Sequence, residues 1–234
     1  MLILTPAVVG RLDLGACAVA EVAARRGATV TVVGAVELAT ADWSHRICDG
    51  IATTRIRLRD GRLIDSVGVG AVLNLIPAIP AVGFDSASDR DRDYAHSEQQ
   101  ALFVSFLAGL GDRLIGGVDG QGPTGNWTWT RWAYLAHRCG IATAAAGQDS
   151  GGDTVVTVIG GRVFGAPSRP FAMQCLALSD RSGCELLQLT ITTGRRPALR
   201  SASASPPLIG EVPQALAELM LQRANEFHRR SKAS

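Results

Sequence analysis

The chain has 234 residues, enough for one large domain or two small ones around a real core. Its 47% hydrophobic and 19% charged residues are ordinary for a soluble globular protein, and a formal charge of +2 is too small to imply a nucleic-acid partner. No 18 apolar residues run together, so no membrane span is expected.

The start, MLILTPAVVGRLDLG, is interrupted by Pro6, Gly10, Arg11 and Asp13, and reads as a first strand rather than a signal peptide. Leu2 to Thr5 is its short apolar run. Residues 15–26 are alanine-rich and helical, stopped by Gly27, and 28–34 form a β-branched strand. Strand, helix and strand within 34 residues predict a parallel βαβ unit, without the GxGxxG of a dinucleotide site. Thr53 to Asp65 alternates around Asp60-Gly61, a hairpin signal, and Val69 to Ile76 is a central strand broken off by Pro77 and Pro80. The stretch FDSASDRDRD reads as a surface loop, with Asp93 capping an amphipathic helix from Tyr94 to Leu110.

A glycine-rich connection at 111–126 leads to a helix from Thr130 to Arg138, ending at Cys139-Gly140. Its Gly120 to Gly125 stretch lacks the GK[ST] of a phosphate loop and reads as a plain loop. Gly147 to Gly152 is a turn. A second hairpin turns at Gly160-Gly161 between Val155–Ile159 and Arg162–Ala166, and Leu186 to Thr192 adds a strand. Ser201 to Pro207 reads as irregular. Pro213 opens a last helix with Leu216, Leu219, Met220, Ala224 and Phe227 on one stripe. Positive charge gathers late: residues 151–234 carry 10 basic against 6 acidic side chains, which fits a solvated tail.

Five scattered cysteines without a CxxC pair fit buried thiols in a reducing cytoplasm, and no histidine stands at metal-ligand spacing from them. His137 and Cys139 lie two apart on one helix and point to different faces, so no activated thiolate is expected. The tightest cluster of unusual residues is Asn126-Trp127-Thr128-Trp129-Thr130-Arg131-Trp132. Three of the four tryptophans of the chain fall there, and Trp, Tyr and Arg dominate interface hot spots. A helical turn can bury Trp129 and Trp132 together, with Arg131 facing elsewhere; Trp127 is the member least easily buried and the best single contact residue. Core anchoring of the helix is the competing reading. Arg162, with Arg131 and Arg138, could hold a carboxylate or phosphate bidentately.

The segment YAHSEQQALFVSFLAGLGDRLIGG from Tyr94, then Asn126, then RWAYLAHRCGIATAA, resembles the pre-ATP-grasp region of RimK-like ATP-grasp ligases that mature peptides. In that group a hairpin with a DGR-type turn, a strand, a YAxxE helix and an alanine-rich helix ending in Gly-Ile occur in this order. The likeness covers roughly residues 50–145, and VTVIGGRVFGA resembles a strand pair within the ATP-grasp domain.

The departures from that family are as informative. These ligases hold ATP phosphates with core lysines, and the single lysine here is Lys232, near the end. The family lysine expected before the alanine-rich helix falls on Trp129. Only about ten residues separate Ile141 from the second hairpin, leaving no room for a lysine strand and a mobile lid. The closing metal strand is replaced by Glu185 and LLQLTIT, and a lone carboxylate suits Mg²⁺ poorly.

The resemblance therefore implies an α/β protein: an N-terminal βαβ pre-ATP-grasp-like domain over residues 1–112, and a reduced α+β ATP-grasp remnant with a C-terminal helix over 113–234. The expected function is that of a non-catalytic partner, dimerisation or peptide-binding module in peptide natural-product maturation. No catalytic residue, metal or cofactor is expected; the partners would be a second copy or a full-length relative, and a peptide, with no nucleic acid or membrane. The alternative is a small enzyme on the same scaffold that binds an anionic substrate through arginines.

Overall fold

The computed structural model describes residues 1–5, 13–84, 86–119, 122–123, 127–144, 152–194 and 196–233. β1 (Leu2–Thr5), α1 (Leu14–Arg25) and β2 (Thr31–Gly34) form the expected parallel βαβ unit. Asp13 starts α1: its carboxylate accepts the Ala16 N–H at 3.1 Å and the Thr5 hydroxyl at 2.6 Å. Gly27 ends it at φ +83°. A short helix α2 (Ala35–Ala39) follows, then the antiparallel strands β3 (Asp42–Cys48), β4 (Ile51–Arg57) and β5 (Leu63–Asp65). The β4–β5 hairpin turns at Asp60-Gly61 as the DG pair predicts. α2 and β3 were not expected from the sequence.

β6 (Val72–Asn74) is interior, and the next helix is longer than the apolar spacing suggests. α3 spans Asp89–Ala108, so the charged stretch expected to be a loop supplies its first turn. Ser88, not Asp93, is the cap, accepting the Asp91 N–H at 3.2 Å. Asp89 and Asp91 lie where the helix dipole favours negative charge. After a 3-10 turn at Gly111–Arg113 come β7 (Leu114–Ile115), β8 (Val118–Asp119), β9 (Gly122–Pro123), α4 (Trp129–Arg138), β10 (Ala142–Thr143), β11 (Asp153–Ile159) and β12 (Arg162–Phe164). α5 (Arg169–Ser182), capped by Ser168 and closed by the left-handed Gly183, lies in a stretch to which the sequence reading assigned no element. β13 (Leu186–Thr192), β14 (Ala198–Ser203) and α6 (Val212–Ala233) complete the chain. The Ser/Ala stretch read as irregular thus enters a strand, because β13 offers it a ladder from Gln188 to Ile191.

The first sheet has order β2-β1-β6-β7, parallel throughout. Alternate residues divide its faces, as the pleat requires. Ile3, Leu73 and Ile115 pack under α1 and α6; Leu2, Leu4 and Val72 pack on Phe103, Phe106 and Leu107 of α3 and on Ile56 of β4. The second sheet has order β10-β14-β13-β11-β12. One face, with Val156, Val158, Leu187 and Leu189, packs on Trp132 and Ala136 of α4 and on Phe171, Cys175 and Leu178 of α5. Ile159 and Leu186 join the same cluster as Leu216, Leu219 and Met220 of α6. α6 therefore seals both sheets at once.

Charges reinforce that seal. Glu218 on α6 receives Arg26 from α1 and Arg162 from β12, both at 2.8 Å. The hydrogen bond from Arg26, then those from Gln214 and Arg162, hold its carboxyl down at about 2. A depressed carboxylate stabilises the fold above its ordinary 4.5 and loses that effect as pH falls towards 2. Glu218→Gln should therefore lower unfolding stability by about 1 kcal/mol at neutral pH, the scale of a solvent-screened network. The gap between variant and parent should close on acidification through that window in urea titrations.

Candidate functional site

The sequence cluster at 126–132 straddles the start of α4. Asn126 lies outside the described residues. Thr128 takes the extended conformation of a helix cap (φ −63°, ψ 152°), and its carbonyl accepts the N–H groups of Arg131 and Trp132. This turn brings Trp127 back over the helix. Its ring lies 4.7 Å from that of Trp132, tilted by 39°, and the Arg131 guanidinium sits 3.6 Å from its centre on the ring face. Trp127 thus touches both neighbours, packing against the Trp132 ring and holding the Arg131 cation on its own face.

The members divide by role in a way the spacing did not predict. Trp132 is 3% exposed and belongs to the core of the second sheet, whereas Trp129 is 44% exposed, so the two are not buried together. Trp127 takes the place beside Trp132 and is half-buried. Arg131, expected to face elsewhere, instead lies on Trp127. Tyr134, 60% exposed, lies on the outer side of α4. Arg162 is engaged elsewhere, by Glu218.

Two of the cysteines, Cys139 and Cys175, are held as thiols by burial. Burial pushes the Cys139 thiol up, and it pushes that of Cys175, in the core beneath, up to about 12. Cys139 and Cys175 pack together between α4 and α5. Among the described residues no group of three or more His, Cys, Asp or Glu side chains could hold a metal ion. Glu185, which stands where a metal strand would begin, is ion-paired with Arg223 of α6. Lys232 is exposed in the last turn of α6.

One cleft was not visible in the sequence. Asp112, Gly116, Asp180, Glu185 and Arg223 line a cavity of about 360 Å³ between β7, α5 and α6. Its carboxylates come from positions far apart in the chain, so no local spacing could have announced it.

No protein-family model and no curated protein sequence matches the chain. Solved structures do match. A RiPP-associated ATP-grasp ligase from Chryseobacterium gregarium, in complex with ADP and a leader and core peptide, superposes with a TM-score of 0.75 at 11% identity, over 95% of this chain and 96% of that one. The macrocyclase MdnC from Microcystis aeruginosa MRC, bound with precursor peptide MdnA, gives 0.73 at 11% identity over 94% and 99%. The ATP-grasp ligase PsnB, complexed with precursor peptide PsnA2 and AMPPNP, gives 0.72 at 15% identity over 95% and 96%. The chain has an ATP-grasp-like α/β fold. No described helix is long and apolar enough to cross a membrane.

Proposed function

We propose that this chain is a reduced ATP-grasp-like protein that works in peptide natural-product maturation without phosphoryl chemistry of its own. It serves as a peptide-binding or partner module, as a homodimer or beside a full-length relative, in a cytoplasmic pathway. Residues 1–112 are its pre-ATP-grasp-like half and residues 113–234 the reduced half, held to the first through α6. Since the structural matches run end to end, the reduction is internal, in the short connection between β10 and β11 and in the phosphate and metal ligands.

The observation that carries this reading is the residue set placed on that fold. The only lysine is at the far end of α6, and the expected metal strand has one carboxylate, already paired with Arg223. A compact ammonium at a phosphate is not simply replaced by arginine. What the fold retains is the exposed aromatic start of α4. Trp127, Trp129 and Arg131, with Asn126 before them, form the peptide contact, and Trp132 supports it from the core. Arg162 acts at the α6 seam.

A labelled precursor peptide from the same biosynthetic locus tests this by fluorescence anisotropy. Saturable binding is expected, weakened about 30-fold by Trp127→Ala, the loss of a side chain worth ~2 kcal/mol at an interface. Binding unchanged in the variant would remove Trp127 from the contact.

A further inference from the structure

Among the described residues, the sheet β3-β4-β5 ends at β3 with no strand beyond it. The backbone of β4 shows which groups of β3 are free. The Thr54 carbonyl accepts the Ser66 N–H at 2.8 Å and the Thr54 N–H donates to Ser66 Oγ, so Thr54 faces β5. Antiparallel ladders alternate, so Thr53 and Arg55 turn to β3, opposite Arg46 and Ser44. Trp43, His45 and Ile47 then direct their N–H and C=O groups outward from the sheet.

Edge strands of monomers are usually blunted by charged side chains, lysine above all, by proline or by a bulge. β3 has no proline, lysine or bulge, and its two charges, Asp42 and Arg46, are of opposite sign; its pairing with β4 is unbroken from Asp42 to Cys48, and Ile47 is 62% exposed. Its outer face presents Asp42, Ser44 and Arg46, all exposed, and neither Asp42 nor Arg46 makes a side-chain hydrogen bond or ion pair among the described residues.

That charge order is self-complementary. In a two-fold antiparallel pairing centred on Ser44, Asp42 of one copy stands opposite Arg46 of the other, twice. Trp43 and His45 of opposite copies then exchange backbone hydrogen bonds. The Asp–Arg pairs fall at the non-hydrogen-bonded sites, where side chains approach most closely. Centring on His45 would set Arg46 against Ser44 of the other copy, and centring on Arg46 would set the two arginines face to face.

We propose that two copies of the chain join through their β3 edges in this register, giving a continuous six-stranded sheet. The inference rests on the homodimer reading above and assigns its surface.

Sedimentation velocity on the full chain tests it with Asp42→Arg and Arg46→Asp. The parent is expected at twice the 24.5 kDa chain mass. Each variant alone places like charges opposite one another and should associate roughly tenfold more weakly or worse. An equimolar mixture restores both Asp–Arg pairs and should recover the dimer. Circular dichroism melts check folding, because Asp42 also faces Arg57 within its own sheet; Asp42→Lys with Arg46→Glu repeats the test if either variant fails to fold. Variants that stay dimeric alone overturn the edge assignment and leave the homodimer standing. Variants that fall apart and do not recover on mixing overturn the register. A parent monomeric at every concentration overturns the pairing itself and leaves the edge open to a peptide strand.

Discussion

Gly116→Ala is expected to destabilise the fold by about 3 kcal/mol, the sum of ~1–2 for a left-handed backbone and ~1–3 for overpacking. Gly116 has φ +89°, and a Cβ there would lie 2.3 Å from the Asn74 carbonyl oxygen. That oxygen belongs to β6, inside the parallel sheet. Asn74 cannot move aside easily, because its side chain is fully buried and holds the Ile76 backbone through both Nδ2 and Oδ1. For a chain of this size the melting temperature should fall by roughly 6–12 °C. Gly61→Ala is the control, with φ +88° and nothing within 4 Å of the added carbon; it should lose only the backbone part, about 1–2 kcal/mol. Equal melting temperatures for the two variants would contradict the close approach of the chain after β7 to β6.

The second large effect separates structure from recognition within the tryptophan cluster. Trp132→Ala removes a ring that is 3% exposed and packed with Val156, Phe171 and Cys175, and should cost about 3–5 kcal/mol. Trp127→Ala removes one stacked pair and one cation–π contact, at about 1–2 kcal/mol in all. Urea unfolding of both variants checks this order. If Trp127→Ala were the more damaging, Trp127 would be a core anchor and its assignment to the peptide contact would fall.

Legibility in the sequence followed the size and spacing of apolar side chains. The first βαβ unit, the DG hairpin, the GG hairpin and α6 were readable because strong β-branched runs, alanine runs or a 3–4 stripe announce them. The first turn of α3 was hidden because a solvated helix turn carries the same Asp/Arg alternation as a loop. β14 was hidden because Ser201 and Ser203 have no strand preference of their own, and the ladder from β13 supplies the order. α5 does have a buried stripe, Phe171, Cys175 and Leu178, with Ser168 before it and Gly183 after it. Those caps were sufficient to find it. In the site, the proximity of Trp127, Trp129, Arg131 and Trp132 was evident from spacing, but their division was not. The turn at Thr128 folds Trp127 back onto Trp132, a step that helical periodicity does not describe. The cleft at Asp112, Asp180 and Glu185 depends wholly on tertiary contact.

On the proposed reading, an ATP-grasp-like fold persists here without its phosphate chemistry. Isothermal titration of the purified chain with Mg·ATP, with a parallel titration of ADP, tests it most directly. No heat of binding up to millimolar nucleotide is the predicted result. Binding in the micromolar range would mean that arginines have rebuilt a phosphate site on this fold, and would contradict the account.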